Sequence, residues 1–85
     1  MASGANFSIR DGYTIGRGDK CQVRLEDPTA SRTHACVRYA RGAWFIQDLD
    51  SANGTWVNGQ RVGATGLVSG DRIRIGDTEF EFRVG

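Results

Sequence analysis

The fold of this chain is decided by the stretch Asp48-Leu-Asp-Ser-Ala-Asn-Gly-Thr-Trp-Val-Asn-Gly59. In it, the dipeptides Asn53-Gly54 and Asn58-Gly59 flank the short apolar segment Thr55-Trp-Val57. Asn-Gly suits turn positions that need a positive φ, because glycine has no Cβ to clash and asparagine can bond its own backbone. The stretch therefore predicts a strand, a tight loop, a very short strand and a second tight loop. Either both asparagines serve only as turn formers, or the first loop holds Asn53 at the rim of a sheet, where all-β domains place binding residues.

The length and composition indicate one small domain without a deep interior. The chain has 85 residues with 12 glycines and one proline, so we expect short strands joined by many tight turns. A domain of this size buries roughly 60–65% of the surface that its unfolded chain exposes, which leaves little room for a catalytic cavity. The formal net charge of +1 argues against general electrostatic binding of nucleic acid or membrane. No apolar run approaches the length of a transmembrane helix.

The two cysteines, Cys21 and Cys36, lie in short apolar segments without the framework of a small secreted disulfide domain. We expect both to be buried free thiols in an intracellular protein, either cytoplasmic or nuclear. A metal site made of Cys21, His34 and Cys36 is the alternative. It lacks a fourth ligand and metal-type spacing, so no metal or cofactor is expected.

Short alternating segments separated by turn residues recur about every ten residues. Residues 1–5 resemble a flexible leader, and residues 6–85 are expected to form a single domain. No stretch shows a sustained helical period, so the pattern predicts an all-β, antiparallel two-sheet sandwich of about ten to eleven short strands. The predicted strands cover residues 6–10, 13–15, 21–25, 35–39, 43–49, 55–57, 72–75 and 79–84, with one short strand within the irregular segment 60–68.

Three of the predicted loops carry polar residues that packing alone does not explain. They are Gly16-Arg17, Ser31-Arg-Thr-His34 and Asn53-Gly-Thr55. Together with Asn58-Gly59 and Gly70-Asp71, in this order and at these spacings, they resemble the forkhead-associated (FHA) domain. The resemblance covers nearly all of the chain from residue 13 to residue 84, and the five motifs in order make it specific.

The resemblance implies a β-sandwich whose loops, at one end, bind a phosphothreonine peptide. Arg17 then contacts the phosphate, and the hydroxyl of Ser31 donates a hydrogen bond to it. Arg32 contributes its backbone N–H, and Thr33 belongs to the same binding loop. Asn53 bonds the peptide backbone beside the phosphothreonine. Such a set holds a dianion with charge-assisted hydrogen bonds and needs no cofactor.

Four further residues are expected to support this site rather than to touch the peptide. By resemblance, His34 braces the loop that carries Ser31 through the hydrogen bonds of its ring. The remaining supports are turn formers, namely Gly16, Gly54 and Asn58.

Three features depart from the family pattern. Ala52 stands where many members have a serine or threonine that reaches the phosphate, which predicts weaker binding. Thr29 stands where some members use a basic residue to select acidic peptides. Family members also have a strand before the one predicted at 6–10, where this chain has only residues 1–5. We expect a monomer, or an edge-paired dimer if the absent strand leaves a sheet edge open.

The sequence therefore predicts a non-enzymatic module that recognises a threonine-phosphorylated protein or peptide. One alternative is a phosphate-independent interaction module of the same family. A second is a small hydrolase that uses Ser31 and His34, although a short loop on a small sandwich offers no evident substrate cleft. A third is nucleic-acid binding through the arginine-rich strand faces, which predicts a steep salt dependence.

Overall fold

The computed structural model describes residues 8–84, which form nine β-strands in two sheets. The predicted leader at residues 1–5 and the first two residues of the predicted strand at 6–10 lie outside the described residues. Residues 8–10 are described, and they are not in a strand. No helix between residues 8 and 84 is long and apolar enough to cross a membrane. In chain order the strands are β1 (Thr14–Gly16), β2 (Val23–Arg24), β3 (Ala35–Ala40), β4 (Ala43–Asp48), β5 (Thr55–Val57), β6 (Gln60–Val62), β7 (Ala64–Leu67), β8 (Arg72–Ile75) and β9 (Thr78–Glu81).

The predicted all-β, two-sheet architecture is confirmed. One sheet has the strand order β2-β1-β3-β4-β7, and the other has the order β6-β5-β8-β9. All pairings are antiparallel except that of β1 with β2, in which Ile15 lies opposite Val23 in parallel register. The Gln22 side chain supports this parallel pair, because its Oε1 accepts a hydrogen bond from the Thr14 N–H at 2.8 Å. Residues 8–84 contain nine strands, fewer than the expected ten to eleven.

The segment 60–68 forms two strands, whereas the sequence pattern predicted one. Strand β6 pairs with β5 in the second sheet, and β7 pairs with β4 in the first. The chain changes sheets at Gly63, whose carbonyl accepts a hydrogen bond from the Asp48 N–H at 2.7 Å. Both strands carry few apolar residues, so their pairing depends on neighbours that are distant in the sequence.

The core lies between the sheets and is built from alternate residues of the strands, as the period of two requires. A fully buried aliphatic side chain of this kind contributes about 1.5–3 kcal/mol. The core thereby fixes the relative position of the two sheets and of the loops at their ends. Its buried members are Ile15, Val23, Leu25, Ala30, Ala35, Val37, Ile46, Val57, Leu67, Ile73, Ile75 and Phe82.

Two residues expected to face the interior are exposed. The alternation in residues 35–39 predicts that Tyr39 shares an inward face with Ala35 and Val37, but Tyr39 is exposed, and its ring packs at a tilt against that of Trp44 with centroids 5.0 Å apart. The alternation in residues 79–84 predicts that Val84 faces inward with Phe80 and Phe82, but β9 ends at Glu81 and Val84 is exposed.

Both cysteines are free thiols, as predicted. Cys36 is buried, but Cys21 is only half-buried, so the expectation of two buried thiols is wrong for Cys21. The Cys21 thiol donates a hydrogen bond to the carbonyl oxygen of Arg32 at 3.1 Å.

Candidate functional site

The structure brings together, at one end of the sandwich, the three loops that the sequence singled out. The Arg17 N–H donates to the Ser31 carbonyl at 3.0 Å, which joins the first loop to the second. The Ala52 N–H donates to Ser31 Oγ at 3.1 Å, and the Asn53 side-chain amide donates to the Thr29 carbonyl at 2.7 Å. These bonds join the third loop to the second, so the position of each loop depends on the others.

The first loop lies directly against the backbone of the second. The Gly18 N–H donates to the Arg32 carbonyl at 2.9 Å. A Cβ on Gly16 would overlap that same Arg32 carbonyl and would come within 2.9 Å of the Ser31 carbonyl oxygen. Only glycine permits this approach, which explains why the sequence places glycine immediately before Arg17.

Arg17 is exposed, and within the described residues 8–84 a single hydrogen bond orients its side chain. Its Nε donates to the Ala30 carbonyl at 3.0 Å. A guanidinium carries five N–H donors, so this bond fixes the direction of the fork while the four N–H groups on its two terminal nitrogens remain available. A planar fork of this kind can bind two oxygens of a phosphate at once.

The second loop offers a hydroxyl and backbone donors. Ser31 Oγ accepts the Ala52 N–H, which leaves the hydroxyl proton available for donation. Arg32 and Thr33 are exposed, and within residues 8–84 neither of their N–H groups donates to another protein group. Free backbone N–H groups beside an arginine fork are suited to an anionic ligand.

His34 is fully buried and bridges the second and third loops. Its Nδ1 accepts the N–H of Ser31 at 3.0 Å, so Nδ1 carries no proton. Its Nε2 lies 2.8 Å from the Gly54 carbonyl oxygen and, in this tautomer, donates to it. The ring therefore holds the backbone of the Ser31 loop against that of the Asn53 loop.

This arrangement does not support the hydrolase or the metal alternative. Both nitrogens of His34 are used by backbone groups, so the ring cannot take a proton from the Ser31 hydroxyl in the manner of a catalytic triad. The same two hydrogen bonds occupy both ring nitrogens of His34, so neither nitrogen is available to bind a metal ion. Among residues 8–84, no group of three His, Cys, Asp or Glu side chains is arranged to hold a metal ion.

The third loop presents Asn53 at the surface. The Asn53 amide nitrogen donates to the Thr29 carbonyl, which leaves its Oδ1 free to accept a hydrogen bond from a ligand N–H. Gly54 has a φ of 87°, and a Cβ there would lie 2.5 Å from Nε of Arg61. Glycine is therefore favoured at this position by the positive φ of the backbone, whereas the flexible end of Arg61 can move aside.

A hydrogen-bond cluster around Asp48 supports the third loop, and the sequence reasoning missed it. The Asp48 carboxylate accepts hydrogen bonds from the Ser51 hydroxyl at 2.5 Å and the Thr55 hydroxyl at 2.7 Å, and from the Ser51 N–H at 3.0 Å. Ser51 Oγ in turn accepts the Gly54 N–H at 2.9 Å. Burial would raise the pKa of Asp48, but these bonds to Ser51 and Thr55 lower it below its ordinary value.

A second cluster, around the buried Asp27, supports the second loop. Its carboxylate accepts the Thr29 N–H at 2.9 Å, the Thr29 hydroxyl at 2.6 Å, the Asp77 N–H at 2.9 Å and the Thr78 hydroxyl at 2.6 Å. Burial would raise the pKa of Asp27, but these four hydrogen bonds lower it to about 2. The sequence signal is Asp27-Pro-Thr29, since an aspartate that bonds the N–H two residues later forms an Asx turn.

Asn58 lies apart from the three loops. It occupies the turn after β5, whereas the Asn53 loop precedes this short strand. Its side chain donates to Asp71 Oδ1 at 3.0 Å and accepts the Arg72 N–H at 3.0 Å. Asn58 thus connects two turns at the opposite end of β5, and any support that it gives to Asn53 acts through that strand.

Comparison with known proteins gives consistent matches. A model of the FHA domain family matches residues 13–76. The chain is 40% identical over 83 residues to the FHA domain-containing protein FhaA of Mycobacterium tuberculosis, which covers 96% of the chain and 16% of FhaA. It is 37% identical over 84 residues to the oxoglutarate dehydrogenase inhibitor of Corynebacterium diphtheriae, which covers 98% of the chain and 59% of that protein. The chain therefore spans 59% or less of the length of each of these relatives.

One solved structure is similar over almost the whole chain. It comes from a structural and functional analysis of phosphothreonine-dependent FHA domain interactions. It superposes with a TM-score of 0.92 at 39% sequence identity, over 98% of this chain and 88% of the other.

Proposed function

Because the chain belongs to the FHA domain family, we propose that it binds a threonine-phosphorylated segment of a partner protein at the three-loop end of the sandwich. The family consists of interaction modules and not of enzymes. The observation that carries the proposal is the fixed position of Arg17 beside Ser31, held by the backbone hydrogen bond between these two residues. The similarity to a domain studied for phosphothreonine-dependent interactions supports it.

The phosphate is the part of the ligand that Arg17 and Ser31 recognise. The terminal nitrogens of the Arg17 guanidinium bind two phosphate oxygens, since among residues 8–84 only its Nε is used in a hydrogen bond. The Ser31 hydroxyl and the free N–H groups of Arg32 and Thr33 bind the remaining oxygens. All of these groups are in place before the ligand arrives, so binding costs little reorganisation of the protein.

The peptide backbone beside the phosphothreonine is the part that Asn53 recognises. Its bond to the Thr29 carbonyl fixes the plane of the amide, and Oδ1 then accepts a peptide N–H. His34 joins the Ser31 loop to the Asn53 loop through its bonds to the Ser31 N–H and the Gly54 carbonyl, and the Asp48 cluster holds the Asn53 loop itself in shape.

The partner is a protein that carries phosphothreonine, and the module acts as a monomer inside the cell. The free thiols of Cys21 and Cys36 support a reducing compartment. Ala52 provides no side-chain donor beside Ser31, so the affinity for a single phosphopeptide is expected in the micromolar range, where 1 μM corresponds to about −8 kcal/mol.

Calorimetry with one peptide in three forms tests the proposal. The phosphothreonine form is expected to bind, and the unphosphorylated form is not. The phosphoserine form is expected to bind more weakly, because the family places the threonine methyl group in a small pocket. Equal binding of the phosphorylated and unphosphorylated forms would instead establish the phosphate-independent module.

A further inference from the structure

A shallow groove leads away from the Asn53 loop across the outer face of the sheet β6-β5-β8-β9. Its first part, of about 250 Å³, begins at Thr29 and Asn53. Its second part, of about 330 Å³, ends at Asn58. Trp56 and Arg74 line both parts, so the two parts adjoin each other on this face. We call it the Trp56–Arg74 groove.

Trp56 and Arg74 form a stacked pair at the centre of this groove. They lie directly opposite each other on β5 and β8, and the guanidinium carbon of Arg74 is 4.9 Å from the centre of the indole ring. The indole N–H of Trp56 donates to the Asn53 carbonyl at 3.3 Å. The pair is therefore attached to the residue that we assign to the peptide backbone. A guanidinium that stacks on a ring keeps the N–H groups along its edge available.

The two arginines that line the groove, Arg72 and Arg74, are matched by two acids, Glu79 and Asp77, so the excess of positive charge on this face comes from Arg61 beside the groove. Arg61 lies opposite Trp56 on β6, and within residues 8–84 neither Arg61 nor Arg74 makes an ion pair. Glu79 lies opposite Arg74 on β9, but its carboxylate is 3.8 Å from Arg72. Among the residues that line the groove, the one other acid is Asp77, at the end near Thr29.

We propose that the Trp56–Arg74 groove binds an acidic segment of the same partner polypeptide, on one side of the phosphothreonine, with Arg74 as the main contact. The inference rests on the proposed function, because the groove begins at Asn53 and a chain held there continues into it. An acidic occupant follows from the unpaired guanidinium groups of Arg74 and Arg61. We therefore assign the selection of acidic partners to the outer face of the sheet β6-β5-β8-β9. Thr29, in the second loop, carries no charge and cannot select them.

The test uses phosphothreonine peptides with three glutamates after the phosphothreonine, three before it, or alanines on both sides. Calorimetry compares the parent protein with Arg74→Gln, which removes the charge and keeps an unbranched polar side chain. The control is Arg38→Gln, an exposed arginine on the other sheet. For the parent, glutamates on one side are expected to lower Kd about three- to five-fold, as exposed ion pairs do. Arg74→Gln loses this gain, and Arg38→Gln keeps it.

A lysine-flanked peptide gives a second measurement that needs no variant, because it is expected to bind the parent more weakly than the alanine peptide. If the phosphopeptides bind but glutamates on neither side help, or if the gain persists in Arg74→Gln, the groove proposal is wrong and the proposed function stands. If no phosphopeptide binds the parent protein, both proposals are wrong. A melting temperature of Arg74→Gln close to that of the parent shows that the fold is intact.

Discussion

Nε2 of His34 lies 2.8 Å from the carbonyl oxygen of Gly54, and this hydrogen bond lies in the interior of the protein. The other ring nitrogen accepts the Ser31 N–H. One imidazole thus satisfies two backbone groups from two loops that are separated in the sequence. Together with the direct bonds from the Ala52 N–H to Ser31 Oγ and from the Asn53 amide to the Thr29 carbonyl, this ring fixes the spacing between the two loops.

Replacement of His34 by alanine is expected to reduce stability before it reduces binding. The change leaves a cavity and two backbone groups without partners, which together cost about 2–4 kcal/mol. Thermal melting measured by circular dichroism, with peptide affinity measured at a temperature where the variant is folded, separates the two effects. A variant that melts with the parent but loses all binding would contradict the bracing role.

Replacement of Arg17 by alanine is expected to have the opposite effect. The side chain is exposed and its one bond, to the Ala30 carbonyl, can be replaced by water, so the melting temperature stays within a few degrees of the parent. Phosphopeptide affinity is expected to fall about 10- to 150-fold, because charge-assisted bonds to the phosphate are lost. Arg17→Lys restores part of the affinity, since it keeps the charge without the planar fork. Unchanged affinity in Arg17→Ala would place the phosphate elsewhere.

The sequence predicted those parts of the fold that short-range signals determine. Strands β5 and β8 have the predicted bounds, because glycine-containing turns delimit both of them. The sequence did not predict β6 and β7 as two separate strands, because Gln60, Arg61 and Gly66 interrupt any apolar alternation. Their structure follows from pairing with β5 and β4, which the local sequence does not encode.

In the candidate site, too, the parts encoded by local motifs were predicted and the parts that depend on long-range contacts were not. The loops of Arg17, Ser31 and Asn53 were recognisable because each is a compact motif. The Asp27 cluster was missed because its bond to Thr78 joins residues 51 positions apart. The stacked pair of Trp56 and Arg74 depends in the same way on the register between β5 and β8.

The stability of the domain is expected to fall in acid because of Asp27. Its pKa is lowered from 3.8 to about 2 in the folded protein, so the ionised carboxylate stabilises the fold above pH 3.8. This contribution, about 2 kcal/mol, is lost as the pH falls through the window between these two values. The pKa of Asp48 is also lowered, so its contribution to stability is likewise lost as the pH falls.

Urea unfolding between pH 6 and pH 2 measures this effect. Asp27→Asn is expected to be less stable than the parent at pH 6 and to show a flatter dependence on pH, because its amide does not titrate. Asp19→Asn is the matched control, since the Asp19 side chain is highly exposed and lies 3.5 Å from Arg24 at the surface; this variant is expected to follow the parent curve. Parallel curves for the parent and Asp27→Asn would refute the assignment.

Replacement of Ala52 by threonine is expected to strengthen phosphopeptide binding. Ala52 is exposed, and its N–H already bonds Ser31 Oγ, so a hydroxyl at this position lies beside the proposed phosphate site. One additional donor to a charged group is expected to lower Kd about three- to ten-fold. Ala43→Thr is the control, because Ala43 is also exposed but lies far from the proposed site. It is the first residue of β4, whereas Asp48, next to the third loop, is the last. The idea fails if both variants bind with the affinity of the parent.

Two glycine replacements test whether the contact between the first and second loops is required. In Gly16→Ala, the new Cβ overlaps the Arg32 carbonyl and approaches that of Ser31, and backbone atoms cannot move aside as a flexible side chain can. The two loops must therefore separate, which breaks the bond between Arg17 and Ser31 and displaces the phosphate donors. Gly63→Ala is the matched control, since a Cβ there meets no atom within 4 Å and its φ is not in the left-handed region. Gly16→Ala is expected to lose both melting temperature and phosphopeptide affinity, whereas Gly63→Ala keeps both. Retention of full affinity by Gly16→Ala would show that the close approach of these loops is not needed for binding.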